Sequence, residues 1–367
     1  MSFRIAAIET CIVDHPIISS RMVVSPAGRH DTSRFLTIAM TDADGVRGYG
    51  EAATTVQWSG ETAETGQCLV RELFAPLLVG NSFDHPCEVL ALLDGAAFGN
   101  SFTKSALDCA AWDIWARRQN ASASQLFGDR TPLRSLPTRS SVGCYDVDKT
   151  VQISTEFWDA GIRTLKFKVG LPRFDDAARL RAVREALGDE PVFTVDANGA
   201  YGTLQEAVNA IEALQPFNVA VFEQPTPRDR IALLSEVKRR VSTPIMADEC
   251  VFSRDDLREV LDCDACDVVS LYPGKNGGLS HSIEMAKLAL QYGKPCAVGS
   301  NLETDLGQAA MIAMAASLSA FPAEQMICDL PAVLFYENSS ILAPLKFIDG
   351  TIEVPTGSGL GVEPVTA

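Results

Sequence analysis

The segment Thr164-Leu-Lys-Phe-Lys-Val-Gly170 decides how the rest of the chain is interpreted. It predicts a short buried strand that ends on two lysines, Lys166 and Lys168. Side chains two residues apart on a strand point to the same face, so both ammonium groups are expected to enter one cavity. Two cations beside an apolar strand are costly unless an anionic partner faces them. Taken alone, an edge strand with hydrated lysines explains the segment equally well.

Length and composition predict a large globular protein. The chain has 367 residues, of which 47% are hydrophobic and 21% are charged. The formal net charge of −16 argues against binding to nucleic acid or to an anionic membrane surface. We therefore expect no nucleic-acid partner and no membrane partner.

The cysteines and the N-terminus predict a soluble cytoplasmic protein. The ten cysteines are scattered, and only Cys263 and Cys266 form a CxxC pair. One such pair is a weak zinc signal, and buried thiols in a reducing compartment explain the cysteines better. The N-terminus lacks a charged-then-apolar signal segment, and the longest apolar run, at 309–320, is too short to span a bilayer.

Three regions with different sequence patterns predict the domain organisation. Residues 1–130 begin with alternating strands at 3–13 and 34–41 and continue with helical periodicity, which predicts an α+β domain. Residues 131–330 repeat a short apolar strand followed by a stretch of helix length. The tail at 331–367 has no room for a further unit and is expected to fold back on the N-terminal domain.

The repeat in the second region predicts a parallel α/β barrel of the TIM type. Eight strand–helix units of similar length match a (β/α)8 arrangement, in which parallel strands are almost continuously apolar. The strands are expected at 138–143, 163–168, 192–196, 219–223, 244–248, 267–272, 295–299 and 325–329.

Three consecutive barrel strands end on carboxylates, at Asp196, Glu223 and Asp248. The active site of such a barrel lies at the C-terminal ends of its strands, so these side chains are expected to converge. Converging carboxylates repel one another unless a cation lies among them, and three oxygen donors without histidine or cysteine suit Mg²⁺ or Mn²⁺ better than zinc. A helix N-cap explains one such residue, but not three at equivalent positions.

A metal beside two lysines predicts a specific chemistry. A metal that holds a substrate carboxylate acidifies the α-hydrogen and stabilises the resulting enediolate. A lysine whose pKa is lowered by the metal and by a second lysine can remove that proton. The pattern therefore predicts a small-molecule carboxylate substrate.

The motifs together resemble the muconate lactonizing enzyme subgroup of the enolase superfamily. The matching segments are Gly50-Glu-Ala52, Trp58-Ser-Gly-Glu61, Lys166-Phe-Lys168, Val195-Asp196-Ala-Asn198, Glu223-Gln-Pro225, Ala247-Asp248-Glu249, Lys275-Asn-Gly-Gly278 and Asn301-Leu-Glu-Thr304. The resemblance covers essentially the whole chain. The mandelate racemase subgroup fits less well, because the seventh strand ends Gly299-Ser-Asn301 without the expected histidine.

This resemblance implies an N-terminal α+β capping domain, a modified (β/α)7β barrel and an essential Mg²⁺ on the three strand-end carboxylates. It also implies that Lys168 is the general base, and that Lys166 tunes it and contacts the substrate carboxylate. Proteins of this kind commonly form homo-oligomers, so a dimer or an octamer is expected.

One position departs from the pattern of the subgroup. Its members usually carry a second catalytic lysine at the end of the sixth strand, where this chain has Tyr272, and Lys275 falls on the following loop. Three interpretations remain open: Tyr272 packs or stacks on the substrate, Tyr272 donates a proton, or the motif is shifted and Lys275 is catalytic. A phenol has an ordinary pKa near 10, close to that of lysine.

The departure bears on the type of reaction. Racemisation or epimerisation needs an acid/base group on each face of the enolate, whereas syn elimination or cycloisomerisation can run with one. We therefore favour a muconate-type cycloisomerase or a syn-dehydratase. The alternative is a racemase or epimerase of an amino-acid derivative or dipeptide, and a second alternative is a barrel without catalysis that serves in binding or structure.

Several other residues are candidates for contact with the substrate or with the metal ligands. Loops 16–30 and 54–60 of the first region are expected to close over the site, and the second carries Trp58. Asp329, at the eighth strand, is a candidate to bind an ammonium or hydroxyl group of the substrate. The remaining candidates are Asn198, Glu249, Lys275 and Glu303.

Overall fold

A computed structural model describes residues 2–30, 32–322, 328–330 and 332–365. The first part of the chain forms a four-stranded antiparallel sheet in the order β5-β4-β1-β6, with a small hairpin, β2–β3, between β1 and β4. A 3₁₀ turn, Ser19–Arg21, precedes the hairpin. The strands are β1 (Phe3–Pro16), β2 (Val23–Ser25), β3 (Gly28–His30), β4 (Thr32–Asp42), β5 (Arg47–Ala52) and β6 (Ser82–Phe83).

Six helices cover this sheet: α1 (Val56–Ser59), α2 (Ala63–Leu69), α3 (Ala75–Leu78), α4 (Pro86–Ala96), α5 (Ser101–Arg118) and α6 (Ala123–Phe127). A π-helical turn, Val70–Phe74, joins α2 to α3. Helix α5 lies directly on β5, because a side chain at Gly50 would place its Cβ 1.9 Å from the carbonyl oxygen of Ala106. The strands predicted at 3–13 and 34–41 are confirmed.

The second part of the chain is a curled parallel sheet of seven strands, arranged in sequence order from β8 to β14. After the short strand β7 (Ser135–Pro137), these are β8 (Arg139–Val142), β9 (Thr164–Lys168), β10 (Val192–Asp196), β11 (Val219–Glu223), β12 (Ile245–Ala247), β13 (Val268–Leu271) and β14 (Cys296–Val298). Each lies within a predicted interval, so the predicted TIM-type architecture is confirmed.

Helices follow the strands and form the outer layer. They are α7 (Val147–Asp159), α8 (Asp176–Leu187), α9 (Leu204–Leu214), α10 (Ile231–Arg240), α11 (Arg254–Asp262), α12 (Pro273–Asn276), α13 (Leu279–Gln291), α14 (Asp305–Ser317) and α15 (Ala332–Phe335), with a 3₁₀ turn at Gln215–Phe217. No helix in the described ranges is both long and apolar enough to cross a membrane.

Backbone contacts of Cys328 and Asp329 close the barrel between its first and last strands. The backbone N–H of Arg139 donates to the carbonyl of Cys328 at 3.0 Å, and that of Asp329 donates to the carbonyl of Val298 at 2.9 Å. The eighth strand was predicted at 325–329, of which 325–327 lie outside the described residues.

The tail of the chain contacts helix α5 and the start of the barrel region. Arg117 of α5 pairs with Glu363, and the backbone N–H of Leu360 donates to Asp113 at 2.7 Å. Two short strands, β15 (Phe347–Ile348) and β16 (Thr351–Glu353), form a sheet with β7. The domain boundaries at 130 and 330 remain a prediction.

Candidate active site

Strand alternation brings the predicted residues to one end of the barrel. Four apolar side chains from β11 to β14 form a separate cluster, which consists of Val221, Met246, Val268 and Ala297. Side chains two residues further along each strand lie on the same inner face. These positions are Glu223, Asp248, Ser270 and Gly299. Asp196 is the register partner of both Lys168 and Glu223, so it lies at the same level.

The two lysines of β9 lie among carboxylates. Lys166 Nζ is 2.8 Å from Glu223 Oε1 and 3.0 Å from both Asp196 Oδ2 and Asp329 Oδ2. Lys168 Nζ donates to Asp196 Oδ2 at 2.7 Å. Burial lowers the pKa of Lys166, but the surrounding carboxylates raise it by more. The pKa of Lys166 therefore lies above its ordinary value. The prediction that anions face both lysines is therefore confirmed.

Asn198 lies between Lys168, the candidate general base, and Glu249, which follows the fifth barrel strand. Its side-chain oxygen accepts a hydrogen bond from Lys168 Nζ at 3.1 Å, and its amide donates to Glu249 Oε1 at 2.8 Å. Its backbone N–H donates to Asp196 Oδ1 at 2.9 Å. Asn198 has φ 43°, a left-handed conformation that asparagine tolerates better than most residues.

Lys275 lies in the short helix α12 and is completely buried. Its ammonium donates to Asp248 Oδ1 at 2.7 Å, and to the backbone oxygens of Asp248 and Ser270, each at 2.8 Å. These three bonds match its three N–H donors. All three N–H donors of Lys275 are therefore directed at Asp248 and the neighbouring Ser270 carbonyl.

Sequence reasoning missed Gln224 and Arg139. Gln224 is buried, and its side-chain oxygen accepts from the backbone N–H of Asp248 at 2.9 Å. Arg139 of β8 is 1% exposed and binds both Glu223 and Asp329. A lone arginine inside a predicted buried strand was the signal that could have identified Arg139.

Tyr272 lies across the barrel from the lysines, at the end of β13. It is completely buried, and its hydroxyl has no hydrogen-bond partner among the described residues. Lys275 Nζ lies 5.0 Å from the ring centre, and the ring of Trp58 lies 6.3 Å away. Gly299 makes room for the ring, because a Cβ there would lie 3.0 Å from Cε1 of Tyr272.

Glu303 lies in the loop after the seventh strand. Its Oε2 accepts from Ser300 Oγ at 2.6 Å and from the backbone N–H of Asn301 at 2.9 Å, whereas Oε1 has no partner among the described residues. Burial raises the pKa of Glu303 from 4.5 to about 7. Asn301 binds Thr55 Oγ1 at 2.7 Å, which joins this loop to the N-terminal part of the chain.

A cavity of about 110 Å³ is lined by Lys166, Lys168, Asn198 and Asp329, whereas Tyr272, Lys275 and Glu303 are not among its lining residues. Both loops that were predicted to cover the site contribute to its wall, through β2, β3 and Trp58. Arg29 and Trp58 also line this cavity.

Two family models match nearly the whole chain. The N-terminal domain model of mandelate racemase / muconate lactonizing enzyme matches residues 7–128, and the enolase C-terminal domain-like model matches residues 150–367. Muconate cycloisomerase 1 of Rhodococcus opacus is 29% identical over 364 residues, which cover 98% of this chain and 95% of that protein. The chain belongs to the muconate lactonizing enzyme subgroup of the enolase superfamily.

Other relatives of this enolase-superfamily member span several reactions. The o-succinylbenzoate synthase of Geobacillus kaustophilus is 32% identical over 340 residues, covering 92% of this chain and 88% of that one. A dipeptide epimerase from Cytophaga hutchinsonii, solved with Mg and D-Ala-L-Val, is 25% identical, covers 99% of this chain and 96% of that one, and has a TM-score of 0.92. These relatives are isomerases and lyases, which confirms the predicted enzyme class, and they include cycloisomerases, a dehydratase and epimerases.

Enzymes of this family generally depend on a divalent metal ion. The candidate ligands suit such an ion in chemical type, because all three are carboxylates. They also end three consecutive strands, since Asp196 and Glu223 are register partners and Asp248 follows the next strand. Among the described residues, no group of three acidic, histidine or cysteine side chains is close enough to hold an ion. Lys166 bridges Asp196 and Glu223, and Lys275 holds Asp248.

Proposed function

We propose that this protein is a metal-dependent isomerase or lyase in which Lys168 removes the α-proton of a small carboxylic acid. Asp196, Glu223 and Asp248 would hold the metal, which we propose to be Mg²⁺, or else Mn²⁺. When bound, the metal stabilises negative charge that develops on the substrate carboxylate. The observation that carries this proposal is the position of Lys168, which lines the cavity beside Asp196 and Asn198.

The two lysines have different surroundings, which supports different roles. Lys166 contacts three carboxylates, and its side chain is 4% exposed, whereas the side chain of Lys168 is 13% exposed. A general base must lie within hydrogen-bond reach of the proton that it takes. Lys168 therefore suits the base, and Lys166 suits a fixed cation that orients the substrate carboxylate.

Tyr272 favours a reaction with a single base. Burial raises the pKa of the Tyr272 phenol well above its ordinary value, so the phenol keeps its proton at neutral pH and is not available there as a base. A racemase needs a group on the second face that takes a proton in one of the two directions. The arrangement supports a cycloisomerase or syn-dehydratase, with Tyr272 as an uncharged acid, over an epimerase.

The experiment that tests this function is turnover in ²H₂O with added Mg²⁺. The panel contains cis,cis-muconate, β-hydroxy acids, N-acyl amino acids and dipeptides. A product that has lost a hydroxyl group or closed a lactone supports the proposal. Deuterium at Cα with inverted configuration establishes the epimerase instead, and the absence of Mg²⁺ binding by calorimetry would favour the barrel without catalysis.

We also propose a cytoplasmic homo-oligomer, either a dimer or an octamer. No disulfide bond joins cysteines in the described part of the chain, which contains all ten. This agrees with a reducing compartment. Light scattering coupled to size-exclusion chromatography tests the assembly, and a mass equal to one chain contradicts it.

A further inference from the structure

Arg139 forms a buried charge network with two carboxylates beneath the cavity. Its Nε lies 2.9 Å from Asp329 Oδ1, and its Nη2 lies 3.0 Å from Asp329 Oδ2. The same Nη2 lies 2.9 Å from Glu223 Oε2. Paired bonds of this kind from a guanidinium to a carboxylate are among the strong interactions in proteins, because geometry and charge both match.

Asp329 is thereby held by two cations at once. Besides Arg139, Lys166 Nζ donates to Asp329 Oδ2 at 3.0 Å. The Asp329 side chain is 6% exposed and that of Arg139 is 1% exposed, so water offers little competition to these contacts. Three of the roughly four acceptor positions of the Asp329 carboxylate are therefore taken, and an incoming cation would meet a carboxylate whose charge two cations already balance.

The charged side chains in the cavity wall also disfavour a substrate ammonium group near Asp329. Among the described residues that line the cavity, Asp329 is the one carboxylate, and the cationic side chains are Arg29, Lys166 and Lys168. Both lysines also contact Asp196. An ammonium group of a substrate would lose its hydration on this side of the cavity and meet a carboxylate that is already neutralised. An uncharged group would pay a smaller desolvation cost at this place.

We propose that Arg139 is a specificity-determining residue: by binding Asp329 it withdraws the eighth-strand carboxylate from the substrate, so that the site takes acids with no ammonium group on this side of the cavity. This deepens the proposed function, on which it rests for the location of the substrate. It also replaces the expectation that Asp329 binds an ammonium or hydroxyl group of the substrate. Arg139 acts through Asp329 and touches no reacting atom, so it is a positioning residue.

The test compares two ligands that differ in one group. L-Ala-L-Glu carries an ammonium group, and (S)-lactoyl-L-glutamate carries a hydroxyl group in its place. Each is titrated by calorimetry into the Mg²⁺-loaded wild type and into Arg139→Met. We expect the wild type to bind the lactoyl compound at least as tightly as the dipeptide. In Arg139→Met the freed carboxylate should strengthen dipeptide binding by about tenfold or more and leave the lactoyl compound almost unchanged.

Two further variants separate specificity from a general disturbance of the site. Arg139→Lys keeps a cation beside Asp329 and should show no gain for the dipeptide. Combining Arg139→Met with Asp329→Asn removes the freed carboxylate and should abolish the gain. A titration of each variant with Mg²⁺ alone checks that Glu223 and the metal site remain intact. If Arg139→Met does not fold, Arg139→Gln takes its place.

Two results would overturn the proposal. One is a wild type that prefers the dipeptide to the lactoyl compound by about tenfold or more. The other is an Arg139→Met or Arg139→Gln variant that folds and binds Mg²⁺ but shows no gain for the dipeptide. Both are binding measurements, so they do not depend on proton removal by Lys168. Loss of the proposed function would show instead as a wild type that exchanges no α-proton in ²H₂O.

Discussion

Lys168 Nζ lies 2.7 Å from Oδ2 of Asp196, the same oxygen that Lys166 approaches at 3.0 Å. Two ammonium groups on one oxygen repel each other, and the negative charges of Asp196 and of Glu223 and Asp329 beside Lys166 offset this repulsion. The two lysines hold the pKa of the Asp196 carboxyl below its usual range although burial opposes this.

Replacing Tyr272 with Phe should separate proton removal from the later protonation step. The ring stays, but the hydroxyl that has no partner among the described residues is removed. We expect turnover to fall by about 10²–10⁴-fold, the usual contribution of a general acid, while α-proton exchange continues. Thermal stability should not fall, because no hydrogen bond within the described structure is lost.

The control for Tyr272→Phe is Tyr292→Phe, which removes an exposed hydroxyl that binds Asp262. This variant should turn over like the wild type. Full turnover in Tyr272→Phe would leave packing or stacking as the role of Tyr272.

Removing the metal should abolish activity and lower stability. A ligand that binds the folded state stabilises it by about 2.7 kcal/mol at one hundred times its dissociation constant. We expect chelator to stop turnover and Mg²⁺ to raise the melting temperature of the wild type. Glu223→Gln and Asp248→Asn should lose both responses, whereas Glu212→Gln, on the exposed face of α9, should keep them. Turnover that survives complete chelation contradicts the proposed chemistry.

Lys275→Met should destabilise the fold, because Asp248 would lose its buried cation. Breaking a buried ion pair by removing one partner typically costs about 3–5 kcal/mol. The matched control is Lys294→Met, which removes an ammonium 2.7 Å from Asp264 at the surface and should cost about 0–1 kcal/mol. Urea unfolding without metal measures both. Equal effects of the two substitutions would show that Lys275 does not support Asp248.

Glu51 should make stability fall as pH rises through the neutral range. Burial raises its pKa from 4.5 to about 8, although Thr304 donates to it from its hydroxyl and, at 2.9 Å, from its backbone N–H. Between these two values the folded protein binds a proton that the unfolded chain has released, so the free energy of unfolding decreases with pH. One such group changes the free energy of unfolding by at most about 1.4 kcal/mol per pH unit.

Glu51→Gln isolates this contribution. Urea unfolding of the variant and the wild type is compared between about pH 5 and pH 8. Asp108 and Asp113, whose pKa values burial raises to about 6, contribute to both proteins and cancel in the difference. Parallel stability curves for the two proteins would show that Glu51 does not titrate in this range.

Local sequence pattern was sufficient for most of the barrel. The strands are short apolar runs, and each candidate metal ligand either ends its strand or follows it directly, so Asp196, Glu223 and Asp248 could be placed without knowledge of tertiary structure. The lysines of β9 could be placed in the same way, because a period of two fixes the face on which side chains lie.

Contacts between distant segments could not be predicted from sequence. Arg139 and Asp329 are 190 positions apart, and neither strand shows by its pattern that the other lies beside it. Asp329 was therefore expected to be available to the substrate. The three hydrogen-bond acceptors of Lys275 could not be predicted for the same reason. Two of them belong to Asp248, and the third is the backbone carbonyl of Ser270.

The central claim is that Lys168 removes the α-proton, and isotope exchange at Cα tests it most directly. The acid found active in the panel is incubated in ²H₂O with the Mg²⁺-loaded wild type, with Lys168→Ala, and with Lys346→Ala as an exposed control. We predict exchange in the wild type and in Lys346→Ala, and a loss of about 10²–10⁴-fold in Lys168→Ala although that variant still binds Mg²⁺. Exchange in Lys168→Ala at the wild-type rate would contradict the account.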